Sequence, residues 1–321
     1  MKKILVTGAG GPAGINFIKA LRQASETIHI VGSDVNEWHL ELSAVDKAYL
    51  LPHAKAPNYI EKLNKLVQIE QVEFVHCQPD VEVEVISENR EKLRTRTFLP
   101  SKEAIRICHD KYRAYSALRK NDVPVPESFL IDHPSAVSPN LTHFLKSSGV
   151  AWLRAAKGAG SRAAIPVRSQ ALAREWINYW KSTGSLESGE FILSEFLPGK
   201  DFAFQSLWKD GELVTSQARV RLEYLFGNLT VSGQSSSPSV AMTVHRKDVN
   251  DVATRAILAV DKKANGVFCV DLKENSRAVP CVTEINAGRF FTTSDFYAHL
   301  GCNMPARRFC RSPAARPEQQ R

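Results

Sequence analysis

Thr283-Glu284-Ile285-Asn286-Ala287-Gly288-Arg289-Phe290 is the stretch on which the reading of this chain turns. It follows, after a short polar turn, an apolar run that carries a single acid near its end: Gly266-Val267-Phe268-Cys269-Val270-Asp271-Leu272. Side chains alternate faces along a strand, so Glu284 and Asn286 share one face while Ile285 turns into the core. An antiparallel hairpin of the two runs would set Asp271 opposite Glu284. Facing carboxylates about 5 Å apart repel each other, and a hard divalent cation, which takes oxygen ligands, resolves the conflict. Magnesium of this kind commonly serves bound phosphates, so a magnesium–nucleotide site is expected on this hairpin.

The rest of the chain bounds that expectation. With 321 residues there is room for two or three packed units. No apolar run nears the roughly 20 residues that cross a bilayer, and Met1-Lys2-Lys3 leads straight into Ile4-Leu5-Val6 and glycine, too short a run for a signal peptide. Six cysteines lie scattered without a Cys-x-x-Cys pair, which argues against a disulfide framework or a zinc knuckle. A cytoplasmic protein without membrane partners is the expectation. The formal charge of +8 raises the question of nucleic acid, and Arg307, Arg308, Arg311, Arg316 and Arg321 do crowd the end of the chain. No helical basic stripe and no basic run interleaved with aromatics accompanies them. Anionic small molecules explain the bias more simply than nucleic acid does.

Strand and helix signals alternate through the first hundred residues: strands at 4–7, 28–32, 74–77 and 98–100, helices at 15–23, 59–67 and 81–93. That alternation implies a parallel sheet covered by helices. The first turn, Gly8-Ala9-Gly10-Gly11-Pro12-Ala13-Gly14, follows a strand and opens a helix, and Asp34 ends the next strand. This is the setting of a dinucleotide-binding turn, and an oxidoreductase using NAD(P) is one reading of it. The other is a tight turn whose glycines bind nothing. A second glycine-rich loop, Lys157-Gly158-Ala159-Gly160-Ser161-Arg162-Ala163, joins two strands within 150–167 and is followed by Ile165-Pro166-Val167, so it cannot open a helix as a Walker loop does. It can still lay backbone N–H groups over phosphates. Arg154 stands in an otherwise apolar strand and needs an anionic partner or a route to water. Farther on, Arg219 and Arg221 share a strand face suited to a carboxylate, and His245 follows close behind.

Taken together these pieces resemble the ATP-grasp superfamily, and most of all the carbamoyl-phosphate synthetase large-chain type. The features that carry the resemblance are Trp152-Leu153-Arg154 with Gly158-Ala159-Gly160-Ser161, the run Glu195-Phe196-Leu197-Pro198-Gly199-Lys200-Asp201, and Glu284-Ile285-Asn286 with Arg289. It implies an α/β fold: a Rossmann-like parallel-sheet domain at 1–108 and a two-lobed α+β ATP-grasp domain, with a small lobe at 109–190 and a large lobe at 191–306. Residues 307–321 are expected to form a disordered tail. It also implies roles. Lys111, Arg154 and the flap residues Lys157, Gly158, Ala159, Gly160 and Ser161 would hold ATP phosphates. Glu195, Phe196 and Leu197 would meet adenine, and Asp201 the ribose. Asp271, Glu284 and Asn286 would bind Mg²⁺, or Mn²⁺ in its place. Arg289 and Arg154 would stabilise the transferred phosphoryl group. Apart from the resemblance, the residues themselves suggest an acceptor pocket, with Arg219 and Arg221 toward a substrate carboxylate and His245 toward nucleotide or substrate. The implied activity is a carboxylate–amine ligase making ADP, with small-molecule carboxylate and amine partners and a homodimer among the assemblies it allows. A non-catalytic ATP-binding subunit is the remaining alternative.

Overall fold

The structure is a computed structural model, and it describes residues 1–132, 136–158, 163–186, 190–235 and 237–307. Three sheets organise it. The first joins β1 (Lys2–Thr7), β2 (Ile28–Asp34), β3 (Lys47–Leu50) and β4 (Phe74–Cys77) in the parallel order β3-β2-β1-β4. Ile4, Leu5 and Val6 of β1 are all buried, as befits a central strand covered on both faces. The following helix, Pro12–Arg22, starts on a proline whose missing N–H is no loss there, and packs Phe17, Ile18 and Leu21 inward.

The second sheet is antiparallel: β5 (Ser128–Ile131), β6 (Ala151–Ala155), β7 (Ile165–Val167) and β8 (Phe191–Glu195), in the order β5-β8-β6-β7. The third is also antiparallel and runs β11-β10-β9-β12-β13, from β9 (Asp201–Lys209), β10 (Glu212–Tyr224), β11 (Pro238–Val244), β12 (Gly266–Glu274) and β13 (Pro280–Ala287). Among the described residues no helix is long and apolar enough to cross a membrane.

The apolar packing divides the molecule differently from the sheets. Leu5 and Val31 of the first sheet share one core with Phe204, Val270 and Ile285 of the third. A second core joins Ile4, Val6 and Phe17 to Leu207, Val267 and Phe290. The second sheet has its own core, where Leu153, Phe191 and Leu193 meet Phe144 and Ile177 of flanking helices.

Several expected boundaries move. β8 pairs with β5 and β6, so it belongs to the small lobe, and the crossing to the large lobe falls after Glu195 rather than before Phe191. The helix Lys102–His109 packs Ala104, Ile105 and Cys108 into the core that holds Ile285 and Ala287 of β13, so 1–108 is not separable at its end. Residues 98–100 form no strand; a lone bridge pairs Arg96 with Phe74. Pro100 has no N–H to give a ladder. β3, β5, β11 and the helix Val137–Ser148 are additional elements. Arg307 ends a short helix, Met304–Arg307, and the rest of the basic tail lies outside the described residues.

Candidate functional site

The β12–β13 hairpin sets Asp271 directly opposite Glu284, with Asn286 two residues along the same face. Asn286 Nδ2 donates to Asp271 Oδ2 at 3.1 Å. Three cations surround Glu284. Lys111 Nζ lies 3.2 Å from Glu284 Oε1. Lys111 is held there because Asp110 caps its helix, Asp110 Oδ1 accepting from the N–H of Tyr112 and of Arg113 at 3.0 Å each. Arg154 reaches over from β6, and its Nη2 donates to the carbonyl of Thr283 at 2.9 Å. Its Nε is buried with no partner. Arg289 closes the third side, donating to Asn286 Oδ1 at 2.6 Å and to the carboxylate of Asp80.

This charge pattern splits the two acids. Burial works against ionisation of both. For Glu284 the charges of Lys111, Arg154 and Arg289 outweigh burial and hold the carboxyl below its usual range. For Asp271 burial, reinforced by the charge of Glu284, outweighs the pull of Arg221 and pushes the carboxyl up. Two carboxylates and an amide on one sheet face carry the oxygen donors a hard cation takes, although here the Asn286 oxygen accepts from Arg289 and its nitrogen faces Asp271. Among the described residues no group of three or more His, Cys, Asp or Glu is arranged for a metal.

The hairpin forms one wall of a cavity of about 540 Å³ between the second and third sheets. Lys111, Arg154, Gly158, Glu195, Phe196, Leu197, Asp201, Arg221, Asp271, Glu284, Asn286 and Arg289 all line it, so most residues singled out in the sequence converge on one space. Lys111 Nζ also donates to the carbonyl of Gly158 at 2.6 Å, tying the flap's start to the acid hairpin.

The remaining expected site residues are placed as follows on and around the cavity wall. Lys157 does not line the cavity; it is 3.8 Å from Asp110 on the surface side. Arg219 is buried beneath the cavity wall, its guanidinium 5.0–5.7 Å from the rings of Phe291, Phe296 and Tyr297 and bonded to Thr293. Arg221, on the same strand face, does reach the cavity and forms an ion pair with Asp271. His245 is exposed beyond the end of β11 and lines no part of the cavity. Asp201 is present but already engaged by Lys273 Nζ at 2.7 Å. Ala159, Gly160 and Ser161 lie outside the described residues. Lys273, Tyr224 and Phe291 line the cavity without having been anticipated. Their one available signal was strand alternation, which puts Lys273 on the face of Asp271.

The glycine turn after β1 is filled by protein. A Cβ on Gly8 would meet Pro79 Cγ at 2.4 Å, and one on Gly10 would meet the carbonyl oxygen of His39 at 2.2 Å. Asp34, the acid at the end of β2, accepts from the N–H of Gly10 at 3.1 Å and of Asn36 at 3.1 Å. The close approach that Gly8 and Gly10 permit here is an approach of the protein to itself.

Comparison with known proteins agrees with this layout. Residues 4–97 match the model of the PylC-like N-terminal domain, and residues 108–293, more than half of the chain, match that of the ATP-grasp domain. No curated protein matches the chain. Solved structures resemble it in fold. An L-amino acid ligase from Bacillus licheniformis has a TM-score of 0.67 at 14% identity, over 95% of this chain and 72% of its own. A D-alanine-D-alanine ligase from Coxiella burnetii has a TM-score of 0.65 at 15%, over 95% and 92%. A carboxyaminoimidazole ribonucleotide synthase from Aspergillus clavatus, complexed with ATP, has a TM-score of 0.65 at 17%, over 94% and 76%. With the acid hairpin, the basic strand opposite and the cavity between two antiparallel sheets, the chain belongs to the ATP-grasp family.

Proposed function

We propose that this protein is an ATP-dependent carboxylate–amine ligase. The observation that carries the reading is the pairing of Asp271 with Glu284 on the cavity wall, ringed by Lys111, Arg154 and Arg289. Carboxylates are poor electrophiles. A carboxylate oxygen attacks the γ-phosphorus of ATP, the bond from that phosphorus to the β,γ-bridging oxygen breaks, and ADP leaves. The acyl phosphate then takes the amine at its carbonyl carbon; a C–N bond forms, phosphate departs with the C–O bond electrons, and the nitrogen loses a proton. Phosphoryl transfer asks the protein mainly for positioning and charge neutralisation.

The residues divide that work. Lys111 and Arg154 neutralise phosphate charge from the small-lobe side, and Arg289 does so from the turn after β13. Glu195, Phe196 and Leu197 cradle the adenine, and Asp201 meets the ribose once released from Lys273. Arg221 directs the substrate carboxylate. Asp271, Glu284 and Asn286 would hold magnesium, which when bound supplies further neutralisation of the phosphates. The names of two solved neighbours, an L-amino acid ligase and a D-alanine-D-alanine ligase, fit this class. The test is ADP release with ATP and Mg²⁺ across amino acids, peptides and sugar acids, with mass detection of the joined product. A product heavier than either acceptor by their condensation supports the ligase. ATP binding without ADP release across the screen favours a non-catalytic ATP-binding subunit instead, and binding of NADH in place of ATP sinks both.

A further inference from the structure

Arg289 makes its principal ion pair far outside the two lobes. Its Nη2 donates to Asp80 Oδ2 at 3.0 Å and its Nε to Asp80 Oδ1, a two-point contact across 209 positions of sequence. Asp80 opens the helix Asp80–Glu88 of the N-terminal domain and does not itself line the cavity. A guanidinium has five N–H donors. Asp80 takes two and Asn286 takes the second hydrogen of Nη2. Nη1 meets the carbonyl of Phe290 at 3.5 Å, a weak contact, and is the edge left over for a ligand.

The backbone around Arg289 is anchored from the same side. Gln78, two residues before Asp80 and buried, donates from Nε2 to the carbonyl of Phe290 at 2.8 Å. His76 Nε2 and Gln78 Oε1 are 2.7 Å apart, and the His76 ring stacks on Phe17 at 3.9 Å. Gly288 has φ +94°, and a Cβ there would meet Val83 Cγ1 at 2.9 Å and Leu99 Cδ2 at 3.0 Å. The turn after β13 is thus pressed onto the N-terminal domain, and its arginine is oriented from there.

We infer that Asp80 is the positioning residue for Arg289, so that the N-terminal domain sets which edge of this guanidinium meets the transferred phosphoryl group. The inference rests on the ligase reading for its chemistry, and on the ion pair alone for its geometry. Paired arginine keeps its direction at the expense of part of its charge, which suits a group that must stabilise a transition state more than it binds a ground state.

The experiment compares the full-length protein with Asp80→Asn, Asp80→Glu, Arg289→Ala and the Asp80→Asn/Arg289→Ala double variant. Turnover is followed by ADP release and ATP–Mg²⁺ affinity by calorimetry. Asp80→Asn is expected to lower turnover roughly 10- to 100-fold, the scale on which orienting groups act, with the ATP Kd within about threefold. Asp80→Glu should recover part of the loss, and the double variant should fall no lower than Arg289→Ala alone. Full turnover in Asp80→Asn, or losses that multiply in the double variant, would overturn the assignment. If the unaltered protein binds ATP without releasing ADP, the ligase reading falls, and the geometric claim is then read from ¹⁵N NMR of the arginine side chains. A slowly exchanging Arg289 Nε–H that is lost in Asp80→Asn supports the pairing, and one that persists refutes it.

Discussion

The turn after β1 and the cleft between the antiparallel sheets both set acids beside a glycine-rich segment, but they differ in what stands in front of them. In the turn, Pro79 and His39 fill the space over Gly8 and Gly10, and Asp34 spends its oxygens on the N–H groups of Gly10 and Asn36. In the cleft, about 540 Å³ stays open in front of the donors. Arg154 Nε has no partner, and Glu284 faces more positive charge than one carboxylate needs. A turn whose open side is occupied by the protein itself stabilises a fold. A site whose charges are incompletely satisfied is built to receive something. Two glutamates express the same contrast. Glu82, buried under the turn, receives the hydroxyl of Tyr59 at 3.0 Å and is pushed up to about 7 by burial. Glu284 is buried too, and its cations carry it the other way.

The largest expected effect tests the cleft. Glu284→Gln should cut ADP release by roughly 10²- to 10³-fold, the scale of losing one preorganised electrostatic group. A thermal melt should remain cooperative. Asp34→Asn, the matching change in the turn, should alter turnover by less than about twofold. Equal losses in both variants would erase the distinction between the two regions.

Glu82 gives the next effect, in stability. Its folded pKa of about 7 lies above the ordinary value of 4.5. The folded state therefore binds the proton more tightly. The associated stability is fully present below pH 4.5, declines above it, and is lost as pH rises through about 7. The full span is about 3 kcal/mol. Melting temperatures measured from pH 5 to pH 8 should fall for the unaltered protein and flatten in Glu82→Gln. A parallel fall in both would assign the pH dependence elsewhere.

Packing of the turn sets a smaller scale. Gly10→Ala places a Cβ against backbone at 2.2 Å, which something must move to accommodate, at about 1–3 kcal/mol. Gly11→Ala, whose Cβ would meet Gly8 O at 3.5 Å, should be close to neutral. If the turn held a pyrophosphate, NADH would bind to the unaltered protein, and calorimetry would show both variants weakening it.

What could be read without the structure follows from range. That Glu284 and Asn286 share a face was legible because strand alternation is local; the opposition of Asp271 to Glu284 depends on a register shift between Asp271 and Leu272 that alternation alone does not give. The parallel first sheet was legible from the strand–helix rhythm, and β4 coincides with the expected 74–77. β3 was not, since Lys47, Ala48 and Leu50 are exposed and give no apolar alternation. That Arg219 and Arg221 share a face was legible; their depth was not. It depends on Phe296 and Tyr297, which arrive from the short helix Asp295–His299. Asp80 left no local pattern, because its partner is 209 residues away and its neighbours Glu82 and Glu84 make the segment look like an ordinary charged surface helix.

The smallest expected effect separates two lysines that the family resemblance treats alike. Lys111 and Lys157 are both near Asp110, but they face different ways. Lys111 is nearly enclosed, at 9% side-chain exposure, with Glu284 on one side and the Gly158 carbonyl on the other. Lys157 is 40% exposed, and its contact with Asp110 is 3.8 Å long. An exposed pair of that length contributes about 0–1 kcal/mol. Lys157→Ala should therefore shift the melting temperature by little and the KM for ATP by less than about threefold. Lys111→Ala removes a buried counter-charge from Glu284 and should weaken ATP by more than about tenfold. Steady-state kinetics at fixed Mg²⁺ decide it. Should Lys157→Ala prove as damaging as Lys111→Ala, Lys157 must swing into the cavity when ATP is bound, and the cleft would recruit its last cation from outside its own wall.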